Sequence, residues 1–288
     1  SPEIIINHRS PVRIVTLINS IRQFNDAYIQ EPRPDAQPGT ARLFVVDMNT
    51  HKERADIERQ VAEYMAEQAA DTEWNNKQSV MVLTLEHHMA ARRGEFENFF
   101  LPLLEVERLG DAAINGDSQE ITFLSSQLWP LIDAIRSDDD FKIATIMRKY
   151  SPVFSSSRLE YADDPLLLFR EAQCQIDKIK VLLGENLAFP ILEVCKLIHE
   201  GELLILPEAF QLHLALVPHK DDESTEEVDV NKEHEAWSRS LSASVRELEN
   251  YISYISSTSS YDTHQGVKGL QFPRVMAILD DEEARGFM

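Results

Sequence analysis

One stretch near the C-terminal end carries residue types that could hold an anion. Thr263-His264-Gln265-Gly266-Val267-Lys268-Gly269-Leu270-Gln271-Phe272 places two of the chain's nine glycines around a lysine, just ahead of the apolar run Val275–Leu279. Glycine permits backbone conformations and close approaches that a side chain forbids. Threonine, histidine and glutamine offer hydrogen bonds, and Lys268 a cation, to a ligand such as a phosphate backbone. The same pattern also fits an ordinary glycine turn before a strand.

Other chemistries find less support. His87-His88 could be a metal pair, but adjacent residues on a helix point about 100° apart, and no carboxylate or cysteine pattern accompanies them. His-Glu-x-x-His and the Gly-x-Ser-x-Gly elbow are both absent, which leaves metalloprotease and serine hydrolase readings without residues. Cys174 and Cys195 are too few for a disulfide framework and lack metal-ligand spacing, so both are expected as core thiols on amphipathic helices in a reducing cytoplasm. Trp74, Trp129 and Trp237 are scattered and read as packing residues. Arg92-Arg93, the one compact basic pair, reads as a solvated helix end. No Gly-Lys-Ser/Thr occurs, so no phosphate-cradling P-loop is encoded.

The chain has 288 residues and a net charge of −21, which argues against a general affinity for nucleic acid. The imbalance is uneven: residues 1–104 carry −4, residues 105–240 carry −14 and residues 241–288 carry −3. Such a shift suggests a separate unit in the middle. No apolar run approaches the ~20 residues needed to span a bilayer, and Ser1–Ile6 does not resemble a signal peptide. A cytoplasmic protein with no membrane partner is expected.

The elements that must position these residues can be read from periodicity. Glu3–Ile6 and Leu43–Val46 read as strands, as do Val80–Leu85 and Val275–Leu279. Pro11 opens a helix carrying Ile14, Leu17, Ile18 and Ile21, and Ile57, Val61 and Met65 mark a second helix over 52–68. A helical stretch runs from Glu86 towards Phe100. Alternating strands and helices predict a parallel α/β sheet. From 105 to 240 the pattern is helical: Ile121–Leu131, Phe141–Lys149, Leu166–Leu183 and Leu187–Ile198. Asp138–Asp140 and Lys220–Asp229 read as solvated loops, and a helix follows from Glu233 to Ile255. The layout is an α/β domain, 1–104 and 241–288, interrupted by an acidic helical insertion, 105–240.

The two chain ends together resemble a known family. Thr263-x-Gln265-x-Val267-Lys268-Gly269-Leu270-Gln271-Phe272 resembles motif V of the UvrD/Rep/PcrA-like superfamily 1 DNA helicases, Thr-x-His-x-Ala-Lys-Gly-Leu-Glu-Phe. Ile5-Ile6-Asn7-His8-Arg9-Ser10, with Ile18-Asn19 in the following helix, resembles their motif IV, Leu-x-x-Asn-Tyr-Arg-Ser. Ser79–Leu85 sits where the family has a strand before its helical insertion. The resemblance covers the chain in order, with specific motifs only at the ends.

It implies the second RecA-like domain (2A) with its helical 2B insertion, stopping before motif VI. By the family pattern Arg9 is the arginine finger that reaches the γ-phosphate, a role its fixed planar charge suits. His8 stands where the family tyrosine stacks on adenine, and Gln271 where a glutamate bonds the ribose. Lys268 and Gly269 would lie near the nucleotide phosphates. Thr263, His264 and Gln265 would face single-stranded DNA; Gln265 replaces the usual histidine. ATP and Mg²⁺ then need the first RecA-like domain, and this chain alone is expected not to hydrolyse ATP. The implied parent is a 3′→5′ helicase or translocase, with a possible protein partner on the acidic insertion. The alternative is a non-catalytic, helicase-like interaction or regulatory module.

Overall fold

A computed structural model describes residues 6–25, 28–47, 53–162, 164–184, 186–214 and 225–284. The protein is mixed α/β, with small parallel sheets and much helix. It has two compact units, residues 1–81 with 268–276 and residues 82–267 with 277–288. The sequence pattern divided the chain after 104 and 240 instead; the helices from 87 onward belong with the later ones because they share one apolar core.

In the first unit, β1 (Ile6–Asn7) pairs in parallel with β2 (Glu31–Pro32), Ile6 opposite Glu31 and Asn7 opposite Pro32. The rest of the expected strand Glu3–Ile6 lies outside the described residues. Asn19 fixes the approach to β2: its amide donates to the Gln30 carbonyl at 2.7 Å and accepts from the Gln30 N–H at 2.9 Å. Asn19 sits on the helix Val12–Arg22, where Pro11 is the cap. The first helical N–H groups need partners from outside the helix. Val12 and Arg13 donate to the carbonyls of Gln37 and Pro38 at 2.9 and 3.0 Å.

Two expectations fail in this unit. Val15 is the buried residue of the first helix, while Leu17 and Ile21 face solvent. Leu43–Val46, expected as a buried strand, forms no strand among the described residues; Leu43 and Val45 are 85% and 89% exposed. An apolar tetrapeptide needs neighbours on both faces to be a buried strand. Among the described residues only one side finds any, where Phe44 meets Tyr64 edge-on at 5.5 Å. The helix Arg54–Ala69 matches its expected span and buries Met65, then stops at left-handed Ala70. Asp71 follows and takes Arg274 in a two-pronged pair at 2.6 and 2.9 Å.

The second sheet has β3 (Met81–Thr84) between β4 (Tyr261–Thr263) and β5 (Val275–Ala277). β3 and β4 run parallel, with Val82, Leu83 and Thr84 opposite Tyr261, Asp262 and Thr263. The bonds Met81 N–H to Arg274 carbonyl and Ile278 N–H to Leu83 carbonyl advance together along β3 and β5, so that pairing is parallel too. β5 is shorter than expected and not buried: Val275 is 41% exposed, and Leu279 beyond it 74%.

The second unit is helical around a single hydrophobic core. The expected helix from Glu86 breaks at Gly94 into His87–Arg93 and Glu97–Leu104. The latter delivers Phe99, Phe100 and Leu103 to the core, and the Tyr251 ring packs against Phe99 at a tilt of 45°, centroids 4.7 Å apart. Glu247 caps that helix from outside, its carboxylate accepting the N–H groups of Asn98 and Phe99 at 2.9 and 3.3 Å. Gln119–Phe123 continues through a π-helical turn, Leu124–Leu128, into Trp129–Arg136. Pro130 accounts for the wide turn, because its ring displaces the carbonyl four residues earlier and it lacks an N–H.

The expected helix 233–255 is two helices, Thr225–Leu241 and Val245–Ile255. Backbone bonds interrupt it: the Ile191 N–H reaches the Ala243 carbonyl and the Val245 N–H the Phe189 carbonyl, both at 2.9 Å. Ser244 then caps the new helix. Of the expected loop Lys220–Asp229, residues 220–224 lie outside the described residues and 225–229 are helical.

Candidate functional site

The carboxyl ends of β3 and β4 lie side by side, and each hands the chain to residues with polar side chains. Thr84 leads into Leu85-Glu86-His87-His88, and Thr263 into His264-Gln265. Together with Leu104 and Ile114 these residues line a pocket of about 270 Å³. Thr263 is buried, His264 and Gln265 are exposed, and the His264 N–H still bonds back to the Thr84 carbonyl at 3.3 Å. The site is thus an extension of the parallel ladder rather than a free loop.

The polar groups around the pocket are tied down. His87 Nδ1 and the Tyr254 hydroxyl share a 2.6 Å hydrogen bond. Burial holds the Tyr254 phenol protonated, its ionisation pushed well up. Burial also holds His87 below its ordinary value, against the opposing carboxylates of Asp262 and Glu86. A protonated phenol and a neutral imidazole therefore share this bond. His88 Nε2 donates to the Glu283 carbonyl at 2.9 Å, and its Nδ1 lies 3.1 Å from Glu86. Asp262 is raised above the usual carboxylate range by partial burial, although the Thr263 N–H, 2.7 Å from its Oδ1, works the other way.

The two glycines of the turn answer to different constraints. Gly269 has φ +89°, a left-handed conformation that glycine alone adopts without strain, and open space around its missing Cβ. Gly266 has ordinary φ, but a Cβ there would lie 2.3 Å from Asp262 Oδ1. The connection between β4 and β5 supplies the reason. Parallel strands usually need a crossover of about a dozen residues or more, whereas here residues 264–274 carry the chain from one side of β3 to the other.

The residues singled out for nucleotide binding all belong to the first unit. His8 and Arg9 are exposed on a turn that Asn7 organises, its Oδ1 accepting the N–H groups of Arg9 and Ser10 at 3.0 and 2.9 Å. Arg9 makes no ion pair among the described residues. Lys268, Gly269 and Gln271 are exposed as well. No side-chain hydrogen bond joins these residues to one another among the described residues. Thr263, His264 and Gln265 are gathered with one another in the pocket of the second unit.

Sequence reasoning missed Glu86, Tyr254 and Asp262, and weighed His87 only as half of a metal pair. A signal was present: Leu85–His88 directly follows an apolar strand, as Thr263–Gln265 follows another, and ligands of open parallel sheets collect outside strand carboxyl ends. Two other expectations need correction. Arg93 is not part of a solvated helix end, its side chain 9% exposed and 2.9 Å from Glu283, whereas Arg92 stays 43% exposed at the helix end while also reaching Glu283 at 3.3 Å. Cys174 is exposed rather than in the core; Cys195 is buried, and burial pushes its thiol up to about 12. Among the described residues no three His, Cys, Asp or Glu side chains gather as a metal site, and no helix is long and apolar enough to cross a membrane. No family model, curated protein or solved structure matches the chain.

Proposed function

We propose that this chain is the second RecA-like part of an ATP-dependent DNA helicase or translocase, with its helical insertion. The observation that carries the reading is the pocket at the carboxyl ends of β3 and β4, whose rim is the helicase-like turn Thr263–Gln265. Open parallel sheets bind ligands at that edge, so the turn is well placed to meet single-stranded DNA. Lys268, Gly269, Gln271 and His8 are exposed, as contacts with a nucleotide require.

Arg9 acts, in this reading, as the arginine finger. The Asn7 turn holds its backbone and leaves the guanidinium at the surface, where a phosphoryl group docked by the first RecA-like domain can be reached. Bound ATP with Mg²⁺ supplies the phosphoryl transfer whose free energy drives movement on the strand. The residues here fit part of that demand. Arg9 and Lys268 suit phosphate oxygens, while the carboxylates for Mg²⁺ and the P-loop fall to the first domain.

In the complete protein, Arg9→Ala is expected to lower DNA-stimulated ATP turnover at least ~10³-fold with the fold intact. Near-normal turnover in that variant removes Arg9 from its role. A second reading, a non-catalytic interaction or regulatory module, is favoured by the −14 charge of residues 105–240. A P-loop and an Asp-Glu pair in the upstream sequence support the first reading, and their absence supports the second.

A further inference from the structure

We propose that Leu43–Val46 is an open strand edge through which two copies of this chain pair, antiparallel about Phe44, by backbone hydrogen bonds. The segment lies in the first unit and owes nothing to the helicase reading.

The chain is already laid out as a strand there. Exposure alternates residue by residue, 85% at Leu43, 36% at Phe44, 89% at Val45 and 39% at Val46, which is the period of an extended backbone. The segment is also held in place. Ahead of it, the Gln37 and Pro38 carbonyls take the first N–H groups of the helix Val12–Arg22, and Gly39 turns at φ +68° against Pro11. Phe44 in turn rests on Tyr64 of the helix Arg54–Ala69. Yet among the described residues Leu43–Val46 makes no backbone hydrogen bond, so its N–H and C=O groups are left to water.

Those groups specify what covers the segment. A helix keeps its backbone bonds to itself and would cover side chains only, whereas a strand ~4.8 Å away matches N–H to C=O along the whole edge. Leucine apart, the residues are strong strand formers. Exposed edges in native sheets usually carry a lysine, a proline or a bulge that prevents pairing. Leu43–Val46 has neither lysine nor proline.

The segment also complements itself. With Phe44 opposite Phe44 of the second copy, Leu43 meets Val45 and Arg42 meets Val46. Directly opposed side chains share a face, so Leu43 and Val45 of both copies, the most exposed of the set, gather on one side. The two Phe44 rings meet across the strands on the other. Arg42 and Asp47 bracket the segment and balance its charge. No like charges stand opposite in this register, whereas a parallel pair would set Arg42 beside Arg42 and Asp47 beside Asp47. A two-fold contact of this kind closes at a dimer.

The test is sedimentation velocity on the full-length protein between ~1 and ~100 µM, since so small an interface gives weak, transient association. The wild type is expected to pass from monomer to dimer over that range. Leu43→Lys combined with Val45→Lys sets like charges opposite each other and is expected to abolish the dimer, as is Leu43→Glu combined with Val45→Glu. An equal mixture of the two variants is expected to recover it, because each introduced cation then meets an introduced carboxylate. Both side chains stand in solvent, so circular dichroism is expected to match the wild type. A wild type that stays monomeric throughout overturns the proposal, and protection of the Leu43–Val46 amides from exchange in that monomer assigns the edge to a strand of the same chain. A dimer that survives in the lysine variant overturns it as well, by placing the interface elsewhere. Monomeric variants whose mixture fails to associate overturn the direct strand-to-strand contact.

Discussion

Gly266→Ala isolates one contact at the rim of the site. The new Cβ would stand 2.3 Å from Asp262 Oδ1 and 2.8 Å from both Cγ and Oδ2, well inside van der Waals contact. The obstacle is the end of a flexible side chain, so the carboxylate rotates away instead of the backbone moving. In rotating it gives up the 2.7 Å bond from the Thr263 N–H. A hydrogen bond of that kind contributes about 1 kcal/mol net, and overpacking left unrelieved adds to it. The variant should therefore lose about 1–2 kcal/mol, or roughly 2–8 °C in melting temperature for a unit of this size. Urea titration measures it, and a double-mutant cycle identifies the cause. In an Asp262→Ala background the clash partner is gone, and Gly266→Ala should cost almost nothing. A cost of the same size in both backgrounds would refute the carboxylate explanation and return Gly266 to a backbone role.

Two further outcomes follow from the same unit. Glu283 is buried, its side chain 3% exposed, and it holds both Arg92 and Arg93; Glu283→Ala removes the carboxylate that balances the Arg93 charge, a loss of about 3 kcal/mol, and amide exchange across Asp280–Ala284 should accelerate roughly 100-fold or more. His87 sits below its ordinary 6.5 because burial disfavours the cation, so the fold prefers the neutral ring; that preference is present above about pH 6.5 and is lost as pH falls through the folded value. Asp262, raised by burial, acts oppositely and favours the fold at low pH. Stability measured from pH 7 down to pH 5 should fall in the wild type and fall less in His87→Gln.

The sequence made the helices legible wherever apolar residues recur on one face. Val245, Leu248 and Ile252 recur on one face of the stretch expected to be helical up to Ile255, and all three are buried. Helix ends were harder to see. The break at 242–244 carried one signal, Ser244 three residues ahead of Glu247, and it is fixed by backbone bonds to Phe189 and Ile191, more than fifty residues away in sequence. Leu43–Val46 misled for the opposite reason: its composition suits a strand, but pairing requires neighbours that composition does not specify. In the candidate site, the glycine turn stood out because glycine is rare in this chain. Its partners Glu86 and His87 carry ordinary residue types, and they gain meaning only once β3 is placed beside β4 in parallel.

The claim at the centre is that the turn after β4 touches single-stranded DNA. Ultraviolet crosslinking of the full-length protein to an oligonucleotide, followed by peptide mass spectrometry, addresses it directly. Crosslinked nucleotide on the peptide containing Thr263–Lys268, and on the one containing Leu85–His88, is the expected result. Efficient crosslinking confined to peptides elsewhere in the chain would contradict it.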